Sequence, residues 1–136
     1  MSPQPPSSRF KSVTGWRRLV AASRYSWQGL RAAWRYEAAF RQELLLAIVL
    51  VPMAFWLART PLEVIVLLLP LAAVLVVELL NSAIEAVADA LSAEYHMLLG
   101  RAKDFGSAAV WLCLVVLLAV WVVVAAQRWL GAAPLS

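Results

Sequence analysis

Glu78, Asn81, Ser82, Glu85 and Asp89 stand within VLVVELLNSAIEAVADALSAEYH, residues 74–96, directly behind an apolar run. On a helix, where successive residues turn by about 100°, these five fall within about 100° of one another. Glu78 and Glu85 are then two turns apart, on the order of 10 Å along the axis. Glu37 and Glu43 add carboxylates upstream, and Lys103 and Asp104 add an ammonium and a further carboxylate downstream. Oxygen-rich sets of this kind collect hard cations such as Mg²⁺, which commonly bridges to phosphates. A lysine nearby can neutralise phosphate oxygens, and a free carboxylate can accept the proton of a hydroxyl. Phosphoryl transfer to a lipid alcohol is chemistry this set can support. Spacing leaves two other readings open: a polar stripe that pairs helices through hydrogen bonds, and a pathway for a cation or proton.

The elements that must position these groups are membrane helices. The 136 residues are 63% hydrophobic and 15% charged, with mean hydropathy +0.77. That is well to the apolar side of a soluble domain, and the length allows one small domain. Ionisable groups at hydrocarbon depth cost about 2.5–3.5 kcal/mol each on insertion scales, so they are rare without a purpose. The single Cys113 excludes an intramolecular disulfide.

About 20 apolar residues cross the hydrocarbon, and three segments qualify, giving spans near 39–58, 62–90 and 104–128. Residues 37–130 are thus expected to form a three-helix transmembrane domain. A Pro- and Ser-rich disordered tail (1–14) and an amphipathic interfacial helix (15–36) precede it, and a short tail (131–136) follows. Thr60-Pro61 marks the restart between the first two spans. In the interfacial helix Trp16, Val20, Ser23, Trp27, Leu30 and Trp34 recur on one face. Arginines on an adjacent stripe suit the headgroup layer. Lys and Arg cluster before the first span and between the second and third, which puts the N-terminus inside and the C-terminus outside.

Other signals carry no weight. DFG at Asp104–Gly106 resembles a kinase magnesium motif but lacks the HRD and Gly-rich loops that belong with it. No phosphate-binding P-loop or dinucleotide fingerprint occurs. His96 is the lone histidine, a residue more often hydrogen-bonded than catalytic in such a setting.

Taken together, YSWQGLRAAWRYEAAFRQE (25–43), VELLNSAIEAVAD (77–89) and EYHMLLGRAKDFGSAAV (94–110) resemble the bacterial integral-membrane diacylglycerol kinases. The resemblance implies an all-α membrane protein, a surface helix plus three spans. It implies assembly as a homotrimer with each active site shared between subunits at the cytoplasmic face of the inner membrane. The reaction implied is transfer of the γ-phosphate of MgATP to the hydroxyl of diacylglycerol, giving phosphatidic acid. Its partners would be diacylglycerol, ATP and membrane lipids, with no nucleic acid among them.

Carried over on matching motifs, Glu78 is the general base for the lipid hydroxyl, and Glu37 and Glu85 hold Mg²⁺ against the ATP phosphates. Asn81 orients substrate or phosphate. Lys103 neutralises the transferring phosphoryl group, with Asp104 beside it placing the nucleotide or the loop. Arg18, Tyr25, Ser26 and Trp27 match the surface-helix region that covers the nucleotide or lines the lipid entrance, and Glu94 and His96 match the adenine end. The surface helix departs most from the family pattern, at Ala21 and Arg24, so Arg18 and Arg24 are both candidates to close over the phosphates. An undecaprenol kinase of the same fold is the alternative within the enzymes; an oligomeric cation carrier is the alternative outside them.

Overall fold

The computed structural model describes residues 15–91 and 96–131. The expected disordered tail, Glu94 and residues 132–136 of the expected C-terminal tail lie outside these. The described residues form four helices: α1 (Gly15–Tyr36), α2 (Ala38–Leu57), α3 (Pro61–Leu91) and α4 (Met97–Trp129). The last three are long and apolar enough to cross a membrane. At 1.5 Å per residue α2 is about 30 Å long, while α3 and α4 reach about 45–50 Å. Both therefore outrun a hydrocarbon core of about 30 Å. Lys103 and Asp104, expected just ahead of a span, lie inside α4, which starts at Met97.

Each long helix buries one stripe. Phe40, Glu43, Ala47, Ala54 and Leu57 face inward from α2, Leu67, Leu71, Val74, Glu78 and Asn81 from α3, and Gly106, Leu117 and Val124 from α4. These spacings of three, four, seven and, between Gly106 and Leu117, eleven are the seam of antiparallel helices packed side by side. α3 and α4 are the closest pair, α2 packs on α3, and α1 rests lightly on α2. Small residues let the backbones approach where no hydrophobic drive exists between helices in lipid. Ala47 packs with Leu71, Val74 and Leu117, and the wholly buried Ala54 packs with Leu67 and Val124.

Local chemistry sets the junctions. Thr60 caps α3: its Oγ1 accepts from Glu63 N at 3.2 Å, Pro61 occupies the first helical position, and Thr60 O accepts from Val64 N. The wholly buried Glu63 turns back onto Arg59, accepting from its backbone N at 2.7 Å and from its Nη2 at 3.2 Å. Arg128 Nη1 donates to Leu57 O at 2.9 Å and its guanidinium lies 5.6 Å from the Trp56 ring. Trp121 Nε1 donates to Leu67 O at 3.2 Å, next to Val66 O, the carbonyl that Pro70 leaves without a helical donor. Between α1 and α2 only Glu37 is extended (φ −101°, ψ 112°). Arg41 Nη1 reaches back across that break to the carbonyls of Trp34, at 3.1 Å, and Arg35, at 3.4 Å, satisfying the end of α1. Gly131, past the end of α4, takes φ +70°, a left-handed conformation that glycine adopts without steric cost.

Candidate active site

The register that buries Ala47 and Val74 also determines where the acids go. One turn on from each along the same stripe stand Glu43 and Glu78, both at least nine-tenths buried. Because α2 and α3 run antiparallel, the start of α2, the end of α3 and the start of α4 meet at one end of the bundle. There a cavity of about 490 Å³ is lined by Glu37, Gln42, Glu43, Glu78, Asn81, Glu85 and Ser107, with Trp111 and Leu114 among its apolar walls. The charges of Glu85 and Glu37 both reach Glu78, and that of Glu78 reaches Glu43. Asn81 Nδ2 donates to Glu85 Oε1 at 3.0 Å. Asn81 Oδ1 and Glu43 Oε2 are buried without a hydrogen-bond partner, which is costly unless something else satisfies them.

Glu37 is the N-cap residue of α2, yet its side chain makes no capping bond. Its carboxylate is therefore not spent on the helix and faces the cavity. Glu37 also lines a second, largely apolar cavity of about 720 Å³ between α1 and α3, with Ser26, Leu30, Tyr36, Leu79 and Ser82. A groove of about 350 Å³ between α1 and α2 is walled by Trp27, Leu30, Arg31, Trp34, Phe40 and Leu44.

Glu37, Glu78, Asn81 and Glu85 thus come together in one cavity, while Ser26 and Trp27 line the two beside it. Arg18 and Tyr25 stand exposed on α1, with the Arg24 guanidinium 5.4 Å from the Tyr25 ring. Lys103 is not in the cavity lining; its Nζ donates to Asp89 Oδ1 at 2.6 Å. Asp104 is exposed on α4. His96 caps α4, its Nδ1 accepting from Leu98 N at 3.3 Å. Sequence reasoning passed over Gln42, Ser107 and Gly106. A Cβ on Gly106 would collide with the Asn81 side-chain oxygen, so the glycine of the dismissed DFG triplet is what lets α4 close over Asn81. A lone glycine at a helix–helix approach leaves little signal in sequence.

The donor set is a test for Mg²⁺. Among the described residues no three acidic, histidine or cysteine groups gather as a cage. Mg²⁺ usually takes one or two carboxylates, waters and substrate phosphates rather than a protein cage. Glu37 and Glu85, both partly exposed at one cavity beside the unpaired oxygens of Glu43 and Asn81, fit that pattern.

A bundle of membrane-length helices with an acid-lined cavity at one end defines a small helical membrane protein with a polar site at the mouth of its packed seam. The family described as prokaryotic diacylglycerol kinase matches residues 24–125. Diacylglycerol kinase of Escherichia coli strain K12 is 48% identical over 110 residues, covering 81% of this chain and 90% of that one. Its namesake from Pseudomonas aeruginosa is 47% identical over 121 residues, 89% and 95% of the two chains. The Haemophilus influenzae protein of that name is 44% identical over 109 residues, 80% and 92%. The chain belongs to the prokaryotic diacylglycerol kinase family and is a kinase.

Proposed function

We propose that this kinase transfers the γ-phosphate of MgATP to the hydroxyl of diacylglycerol, releasing phosphatidic acid. The observation that carries the reading is the single cavity that gathers Glu37, Glu43, Glu78, Asn81 and Glu85 at one end of an apolar bundle. Glu78, buried on the seam, is the base that takes the proton of the lipid hydroxyl as its oxygen attacks the γ-phosphorus and the bond from that phosphorus to the β–γ bridging oxygen breaks, releasing ADP. Asn81, tied to Glu85, orients the reacting groups. Glu37 and Glu85 would hold Mg²⁺, which when bound offsets the charge on the phosphates. Lys103, with Asp104 beside it, neutralises the transferring phosphoryl group. Positioning carries most of the catalysis, as is usual in phosphoryl transfer.

The surroundings suit both substrates. The apolar cavity that meets the acidic one at Glu37 gives the non-polar part of a substrate room beside the reacting groups. Ser26, with Arg18, Tyr25 and Trp27 on α1, covers the nucleotide or lines the way in for lipid, and Glu94 and His96 take the adenine end. The reading includes α1 as an amphipathic helix in the headgroup layer, its tryptophan face down and its arginines toward anionic lipid. It also includes an inner-membrane orientation with the N-terminus and site cytoplasmic and the C-terminus periplasmic. All Lys and Arg residues except Arg59 and Arg128 fall on the proposed cytoplasmic side. The assembly is a homotrimer, with sites completed between subunits.

The test is transfer of labelled γ-phosphate from MgATP in mixed micelles offering diacylglycerol and undecaprenol in parallel. Label in phosphatidic acid is the expected result. Label chiefly in undecaprenyl phosphate would keep the site and change the substrate. No label in either, from folded protein replete with magnesium, would overturn the reading and return the acids to a cation pathway.

A further inference from the structure

Asp89 closes the acidic stripe one turn beyond Glu85, and it holds Lys103 of the facing helix α4, Nζ to Oδ1 at 2.6 Å. Asp89 is largely exposed and Lys103 partly so, and an exposed pair of this kind adds little to stability. Its place on the stripe is the informative feature. Lys103 feels the charge of Glu85 as well as that of Asp89, and Glu85 already accepts from Asn81. A lysine is a flexible stem ending in three donors, so without Asp89 it is free to turn toward Glu85, one turn back on the same helix face. On Asp89 it spends one donor and keeps two for an anion. On Glu85 it would occupy the carboxylate that the proposed function reserves for Mg²⁺.

We propose that Asp89 is a positioning residue: it tethers Lys103 at the end of the stripe, clear of Glu85, so that the ammonium meets the nucleotide phosphates while Glu85 stays free for metal. The inference rests on the kinase reading above. Asp89 touches no reacting atom; it acts through Lys103.

The test is equilibrium binding, by calorimetry in detergent, of the magnesium complex of β,γ-imido-ATP to the full chain. The proteins compared are wild type, Asp89→Asn, Asp89→Glu, Lys103→Gln and the double variant Asp89→Asn/Lys103→Gln. Asp89→Asn should weaken binding about three- to fivefold, near the upper limit for an exposed ion pair, and should raise the magnesium concentration needed at half saturation. Asp89→Glu should recover most of the loss. In the Lys103→Gln background Asp89→Asn should cost nothing more, since the residue it positions is gone. Unchanged or tighter binding by Asp89→Asn would overturn the inference, the latter because Asp89 would then compete with phosphate for Lys103. An equal loss with and without Lys103, or no recovery in Asp89→Glu, would overturn it too. If wild type fails to bind the analogue, the kinase reading fails and takes this inference with it; wild-type affinity in Asp89→Asn sinks the inference alone.

Discussion

Replacing Gly106 by alanine separates what the α3–α4 contact does for stability from what it does for the site. A Cβ at this buried position would collide with Asn81 Oδ1 and lie 3.2 Å from its Cγ and 3.7 Å from its Cα. The colliding atom ends a rotatable side chain, so the amide swings aside before the helices part. Alanine gains about 1 kcal/mol over glycine in a helix interior, while overpacking costs about 1–3 kcal/mol. These two terms leave a net destabilisation of up to about 2 kcal/mol, to which the side-chain bond that the rotation breaks is added. The rotation breaks the hydrogen bond from Asn81 Nδ2 to Glu85, and a bond to a charged group is worth about 1.5–3 kcal/mol. If that orientation serves the transition state, turnover falls about 10- to 100-fold. The assay is phosphate transfer in mixed micelles beside thermal unfolding followed by tryptophan fluorescence. Gly15→Ala, where a Cβ meets nothing within 4 Å, serves as the control. Wild-type turnover in Gly106→Ala would refute the argument that this close approach holds Asn81.

Glu78→Gln should abolish turnover while the protein elutes from size exclusion as wild type does; near-normal rates would remove Glu78 as the base. Glu85→Gln should raise the magnesium concentration needed for half-maximal rate, and an unchanged titration would move the metal elsewhere. Arg128→Ala loses the bond to Leu57 O and the contact with Trp56. It should destabilise by about 1–2 kcal/mol with KM for MgATP unchanged, because it lies at the far end of the bundle. A lowered affinity for nucleotide at unchanged melting temperature would contradict that assignment.

Three membrane-length helices were legible from hydropathy alone, because the cost of exposing polar backbone to lipid forces long apolar runs into helices. The restart at Thr60-Pro61 was legible as well, since proline at the first helical turn leaves no donor unpaired. Periodicity was enough to put Glu78, Asn81 and Glu85 on one face of α3, because a helix repeats its faces whatever it packs against. Spacing could not tell that Glu78 and Asn81 are buried while Asp89 is exposed.

Depth, partners and close approach belong to tertiary structure. Glu43 is drawn to the same cavity as Glu78 because α2 docks on α3 in the register that seats Ala47 against Val74. The position of Lys103 on Asp89 depends on how α4 returns along α3, a pairing 14 residues apart that no helical period encodes. The extended backbone at Glu37 leaves its carboxylate uncapped and shared by two cavities, and Gly106 matters only because Asn81 lies against it. The sequence by itself determined where the helices run, apart from the first two turns of α4, and which side of α3 carries the acids, since both follow from local periodicity and the cost of polar groups in lipid. Only the packed structure decided which acids share a cavity and which lysine is held by which carboxylate, because those depend on the register between helices.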